Sequence, residues 1–149
     1  MNNRQSDTKT TRESARESDT RRETLNTDAV KWVSALVAIA GLWIIASPFV
    51  YAATDTAVWN NTLVGTGIFL LAGYNFVRLS QDRLANVGVT ALALLLGLWI
   101  AVSPFVMVMG SDALANSTIV SGLVVVLLSA YNVYANRKAD APESMRTRA

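Results

Sequence analysis

The chain has 149 residues, 52% of them hydrophobic and 16% charged, with a formal net charge of +2. It contains no Cys and no His, which excludes disulfides, thiol chemistry and Cys/His metal sites. The charges crowd toward the two ends and the middle is almost free of them, so the middle is not built to face water. A basic balance can signal nucleic-acid binding. Here the basic residues flank apolar runs, where they set membrane orientation, and no nucleic acid is expected.

Residues 1–28 form a polar tail in which Arg4, Lys9, Arg12, Arg16, Arg21 and Arg22 are interspersed with acidic residues. After Met1, Leu25 is its one large aliphatic side chain. Too little apolar surface is present to fold alone, so disorder is expected. Thr20-Arg21-Arg22-Glu23 reads as a capping box that would start a short helix beside the membrane. The first apolar run starts near Ala29, too far along for a cleaved leader, and is expected to be an uncleaved anchor.

Four apolar runs follow, at about 29–53, 59–78, 84–109 and 116–136. Each approaches the roughly 20 residues a helix needs to cross about 30 Å of hydrocarbon. The expected fold is all-α: a four-span transmembrane bundle of two tandem hairpins, repeat 1 over 29–79 and repeat 2 over 84–136. Residues 1–28 and 137–149 are expected to be disordered cytoplasmic tails.

Lys and Arg set the orientation. Beyond the N-terminal tail they occur at Lys31, at Arg78 and Arg83 in the link between spans two and three, and at Arg137, Lys138, Arg146 and Arg148. The other two loops carry Asp55 and Asp112 and no basic residue. Basic loops stay on the cytoplasmic side, so both termini and the middle link are expected inside, in a cell (cytoplasmic) membrane. Trp32, Tyr51 and Trp59 lie near span ends, at the headgroup level that aromatic residues favour.

The two hairpins are copies. GLWIIASPFV from Gly41 recurs as GLWIAVSPFV from Gly97, so Trp43, Ser47, Pro48 and Phe49 match Trp99, Ser103, Pro104 and Phe105, 56 residues on. Past the outer loop the offset is 57, and Gly65, Tyr74 and Asn75 match Gly122, Tyr131 and Asn132. A two-span unit enters and leaves on the same side, so the copies are parallel and not inverted, unlike many alternating-access carriers.

Ser34, Gly41 and Pro48, and Thr90, Gly97 and Pro104, are spaced by seven, as are Gly65–Ala72 and Gly122–Ser129. These stripes are expected to be packing seams, because small residues let helices approach closely in lipid. Pro48 and Pro104 should kink or end the odd spans, and Ser47 and Ser103 can bond a carbonyl freed in the preceding turn. Tyr74, Asn75, Tyr131 and Asn132 are candidates for interhelical polar contacts. Asn60-Asn61-Thr62 and Asn116-Ser117-Thr118 fit the glycosylation sequon but are expected to cap the even spans.

The tandem Trp…Ser-Pro-aromatic hairpins resemble the SPW repeat proteins, small prokaryotic membrane proteins with one or two copies of a two-helix unit. The likeness covers about residues 29–136. Both copies carry Phe49 or Phe105 where the family name has Trp, which keeps an aromatic ring and loses its indole donor. The resemblance implies a multi-pass membrane protein and brings no activity with it.

With no ionisable residue inside a span, no catalytic, cofactor-binding or metal site is expected, and an enzyme is the weakest class. A channel or transporter usually keeps ionisable residues within its spans. What remains is a structural or interaction module whose partners are the lipid bilayer and other membrane proteins or further copies of itself. The alternative is a subunit of an oligomeric channel or small-solute transporter.

Overall fold

A computed structural model describes the backbone of residues 2–147 and the side chains of residues 9–16 and 28–137. Its helices are α1 (Asn2–Val50), α2 (Asp55–Ser80), α3 (Val87–Val106) and α4 (Asp112–Thr147). The stretches Asp28–Val50, Asp55–Ser80, Val87–Val106 and Asp112–Arg137 are long and apolar enough to cross a membrane. The chain is thus an all-α, four-span membrane protein.

Helix ends follow local chemistry. The odd spans stop at Val50 and Val106, short of the expected 53 and 109, because Pro48 and Pro104 lie in their last turns. The even spans start earlier than expected. Thr54 caps α2, its hydroxyl accepting from Ala57 N at 3.2 Å, and Ser111 Oγ accepts from Leu114 N at 3.2 Å in α4. The Asn60 and Asn116 sequons therefore lie inside helices and do not cap them. Asn86 caps α3, accepting from the N–H groups of Gly88 and Val89.

The α2–α3 link closes α2 with Asp82 in the left-handed region at φ 57°. Arg83 N donates to Arg78 O and Asp82 N to Leu79 O, which satisfies the last carbonyls of the helix.

Where composition leads to the expectation of disorder, the backbone of residues 2–28 continues α1. Extending a helix already nucleated in the membrane is far easier than starting one. Opposite charges three and four apart, as at Lys9, Glu13 and Arg16, favour it further. Residues 9–16 are exposed. The Thr20–Glu23 capping box falls within this continuous helix, and its side chains lie outside the described ones. α4 likewise runs on to Thr147; residues 148–149 of the C-terminal tail lie outside the described backbone.

The helices form a ring in which α1 packs on α2, α3 on α4, and the hairpins join through α1–α4 and α2–α3. The inward face is narrow and rich in small or polar residues, among them Ser34, Gly41, Gly65, Ala72, Thr90, Gly97 and Gly122, with a few aliphatic side chains such as Ile44, Ile68, Ile100 and Val125 between them. Leu42, Leu63, Leu70, Leu95, Leu98 and Leu127 point outward. This inside-out arrangement suits lipid, where large aliphatic groups gain nothing by leaving the acyl chains and close backbone contact holds helices together.

Each hairpin is clamped by one glycine pair. A Cβ on Gly65 would meet Gly41 O at 2.9 Å, and a Cβ on Gly122 would meet Gly97 O at 2.8 Å. Between these pairs Val37, Ile44, Ile68, Ala72, Ile100 and Val125 form one buried apolar layer.

Candidate interaction core between the repeats

The Ser-Pro pair explains itself at the backbone. Pro48 has no N–H for the carbonyl of Ile44 one turn back, and Ser47 Oγ donates to that carbonyl at 3.1 Å. Ser103 Oγ donates to Ile100 O at 2.8 Å, replacing the donor that Pro104 lacks. Each serine therefore lets a helix end on proline inside a buried face without leaving an unpaired carbonyl.

The tryptophans reach across to the other repeat. Trp43 Nε1 donates to Ser117 Oγ at 3.0 Å, and Trp99 Nε1 donates to Asn60 Oδ1 at 2.9 Å. Asn60 and Ser117 occupy matching positions of the two repeats, so the bonds are mates under the pseudo-twofold relation. Near the opposite end of the ring, Asn75 Nδ2 donates to Thr90 Oγ1 at 2.8 Å and Asn132 Nδ2 to Ser34 Oγ at 3.1 Å. Those pairs are mates as well. Asn61 and Thr118 match each other and meet directly, Asn61 Nδ2 donating to Thr118 Oγ1 at 3.2 Å, which places this contact on the pseudo-twofold axis.

The hairpin loops repeat the pattern. Thr54 Oγ1 donates to Val108 O at 2.6 Å, and Ser111 Oγ donates to Ala52 O at 2.9 Å. Alignment of the two loops leaves Gly110 as the inserted residue. It sits at φ +103°, where an added Cβ would lie 2.9 Å from Thr54 N, so the insertion requires glycine.

Of the motif residues, Gly41, Ser47, Pro48, Gly97 and Ser103 face inward, and Phe49 and Phe105 point outward beside the hairpin loops. Asn75 and Asn132 bridge helices, whereas the neighbouring tyrosines turn out. Tyr74 accepts from Arg78 Nη1 within its own helix at 3.3 Å, and Tyr131 is exposed. Sequence reasoning missed Thr54, Asn60, Asn61, Ser111, Ser117 and Thr118 as bonding partners. The 57-residue offset pairs them position by position, and that pairing was the available signal.

The two hairpin-end carboxylates, Asp55 and Asp112, are exposed. An open groove of about 500 Å³ borders the second hairpin loop between Pro104 and Ala115, with Asp112 as its one ionisable lining residue. The arrangement can lock two hairpins together through neutral hydrogen bonds. It gathers no set of convergent acid–base groups among the described residues.

Comparison with known protein families matches residues 31–139 to the SPW repeat domain. No curated protein and no solved structure matches the chain.

Proposed function

This chain belongs to the SPW repeat family, and from that premise we propose that it is a structural or interaction module of the cell (cytoplasmic) membrane. Its tails lie in the cytoplasm and its hairpin loops outside, as the basic residues direct. The observation that carries the reading is how the repeated polar groups are used. Trp43, Trp99, Asn75 and Asn132 direct their donors to the other repeat. The apolar layer around Ile44, Ile68, Ile100 and Val125 closes the space between the two polar levels. Such a body is a rigid spacer with an aliphatic and aromatic belt for lipid or neighbouring proteins, and it holds its charged tails at a fixed place on the membrane. The reading includes no catalytic role and no cofactor.

The test is to purify the full chain in mild detergent, identify what accompanies it in fixed ratio, and measure solute flux after reconstitution in liposomes. A stoichiometric membrane-protein partner or a defined self-assembly without flux supports the module. Reproducible flux overturns it in favour of a channel or transporter subunit. Orientation has its own test, because the chain has no native Cys. Single cysteines at the exposed positions Thr56, Ser80 and Ala113 are treated in intact cells with an impermeant thiol reagent. Labelling at Thr56 and Ala113 alone is expected; labelling at Ser80 alone inverts the orientation.

A further inference from the structure

The pseudo-twofold relation fails at Asn132. Asn75 has both ends of its amide paired: Nδ2 donates to Thr90 Oγ1, and Oδ1 accepts from the backbone N–H of Asn86 at 3.0 Å. That N–H is free to donate because Asn86 stands at the start of α3. The residue matching Asn86 in repeat 1 is Val30, which lies inside the continuous α1, where its N–H is committed to the helix. Asn132 therefore makes its bond to Ser34, and among the described residues no group donates to its Oδ1, although the residue is only 3% exposed. A buried amide oxygen with no partner is destabilising by about 1–3 kcal/mol.

Asn132 also lines a cavity of about 10 Å³, together with Ser34, Val37, Ala72, Asn75, Thr90, Ala93 and Ser129. These are four pairs of matching positions, so the cavity lies on the pseudo-twofold axis. Its volume suits one water, which needs two to four polar partners. The polar lining is amide and hydroxyl only. With no carboxylate there to offset a bare cation, a charged occupant is strongly disfavoured.

We propose that this cavity is a binding site for a single water molecule that donates to Asn132 Oδ1 and bonds the hydroxyls around the axis. The water supplies the donor that the Asn86 N–H provides in the other half. In this way the duplication tolerates a first helix that runs unbroken into the polar tail.

Proton-detected solid-state NMR of the full chain in lipid bilayers, with ¹⁵N-labelled asparagine and tryptophan, tests the site. A cross-peak from a slowly exchanging water to the Asn132 side-chain amide is expected. Ser129→Val fills the cavity and should abolish that cross-peak, while the Trp43 and Trp99 indole signals report that the fold is intact. If that variant fails to fold, Ala72→Val fills the same space from α2 and carries the same expectation. No water cross-peak in the folded wild type overturns the proposal, as does one that persists after filling. Asn132 signals that shift when Na⁺ is exchanged for K⁺ or choline would assign the site to a cation and also overturn it.

Discussion

Repeat 1 and repeat 2 place most of their bonds at matching positions, and they differ where the chain enters and where it turns. Helix α1 continues into a long polar segment, whereas α3 starts at an asparagine cap. The second hairpin loop carries an extra glycine, Gly110. Neither difference disturbs the glycine clamps, the Ser-Pro ends or the Trp bridges, and the Asn bridges differ only at the Oδ1 of Asn132. The repeated motif is therefore a self-complementary surface, each copy presenting a donor where the other presents its acceptor. Two matched halves joined in this way have the character of an isologous dimer made within one chain.

The glycine clamps should give the largest effects, and unequal ones. A Cβ on Gly122 falls 2.5 Å from Ala101 N and 2.8 Å from Ala101 Cα, both backbone. On Gly65 the contacts are Gly41 O and the Ile45 side chain, each at 2.9 Å, and the side chain can move. Gly122→Ala should lower stability by about 3 kcal/mol and Gly65→Ala by about 1–2 kcal/mol, within the range of overpacked cores. Gly73→Ala, inside α2 and with nothing within 4 Å, should lose no stability and gain up to about 1 kcal/mol from helix propensity. Thermal unfolding in detergent, followed by near-UV circular dichroism, checks the order; equal losses at Gly65 and Gly122 would break the comparison.

The Asn bridges should also be unequal. Asn75→Leu removes two bonds and Asn132→Leu one, so Asn75→Leu should destabilise more, by about 1 kcal/mol or less. The serines, in contrast, should behave alike. Ser47→Ala and Ser103→Ala each leave a carbonyl unpaired and should lose about 1 kcal/mol. In the Ser47→Ala background, Pro48→Ala returns an N–H to Ile44 O and should recover most of that loss. The smallest effect belongs to the indoles: Trp43→Phe and Trp99→Phe should each lose about 0.6 kcal/mol, the average for interhelical hydrogen bonds in membranes.

Much of the fold was legible because lipid imposes simple rules on the chain. Apolar length, the position of each Lys and Arg, and the string shared from Gly41 and Gly97 define four spans in two parallel hairpins. The seven-residue spacing of Ser34, Gly41 and Pro48 indicated the buried face. Less legible was which polar residue meets which. Asn60 looks like a cap or a glycan acceptor in one dimension, and its role as the acceptor for Trp99 appears when the other repeat is in place. The helical state of residues 2–28 was also hidden, since composition reports whether a segment can bury itself and not whether a neighbouring helix will run on through it.

The central claim is that the two repeats meet at matched positions on one axis. Asn61 and Thr118 mark that axis, and the chain offers no competing cysteine. The double variant Asn61→Cys/Thr118→Cys, treated in membranes with a short bis-methanethiosulfonate cross-linker, should be bridged within one chain, read as a shift in gel mobility without dimer formation. Failure to cross-link, or cross-linking only between chains while the protein stays folded, would contradict the account.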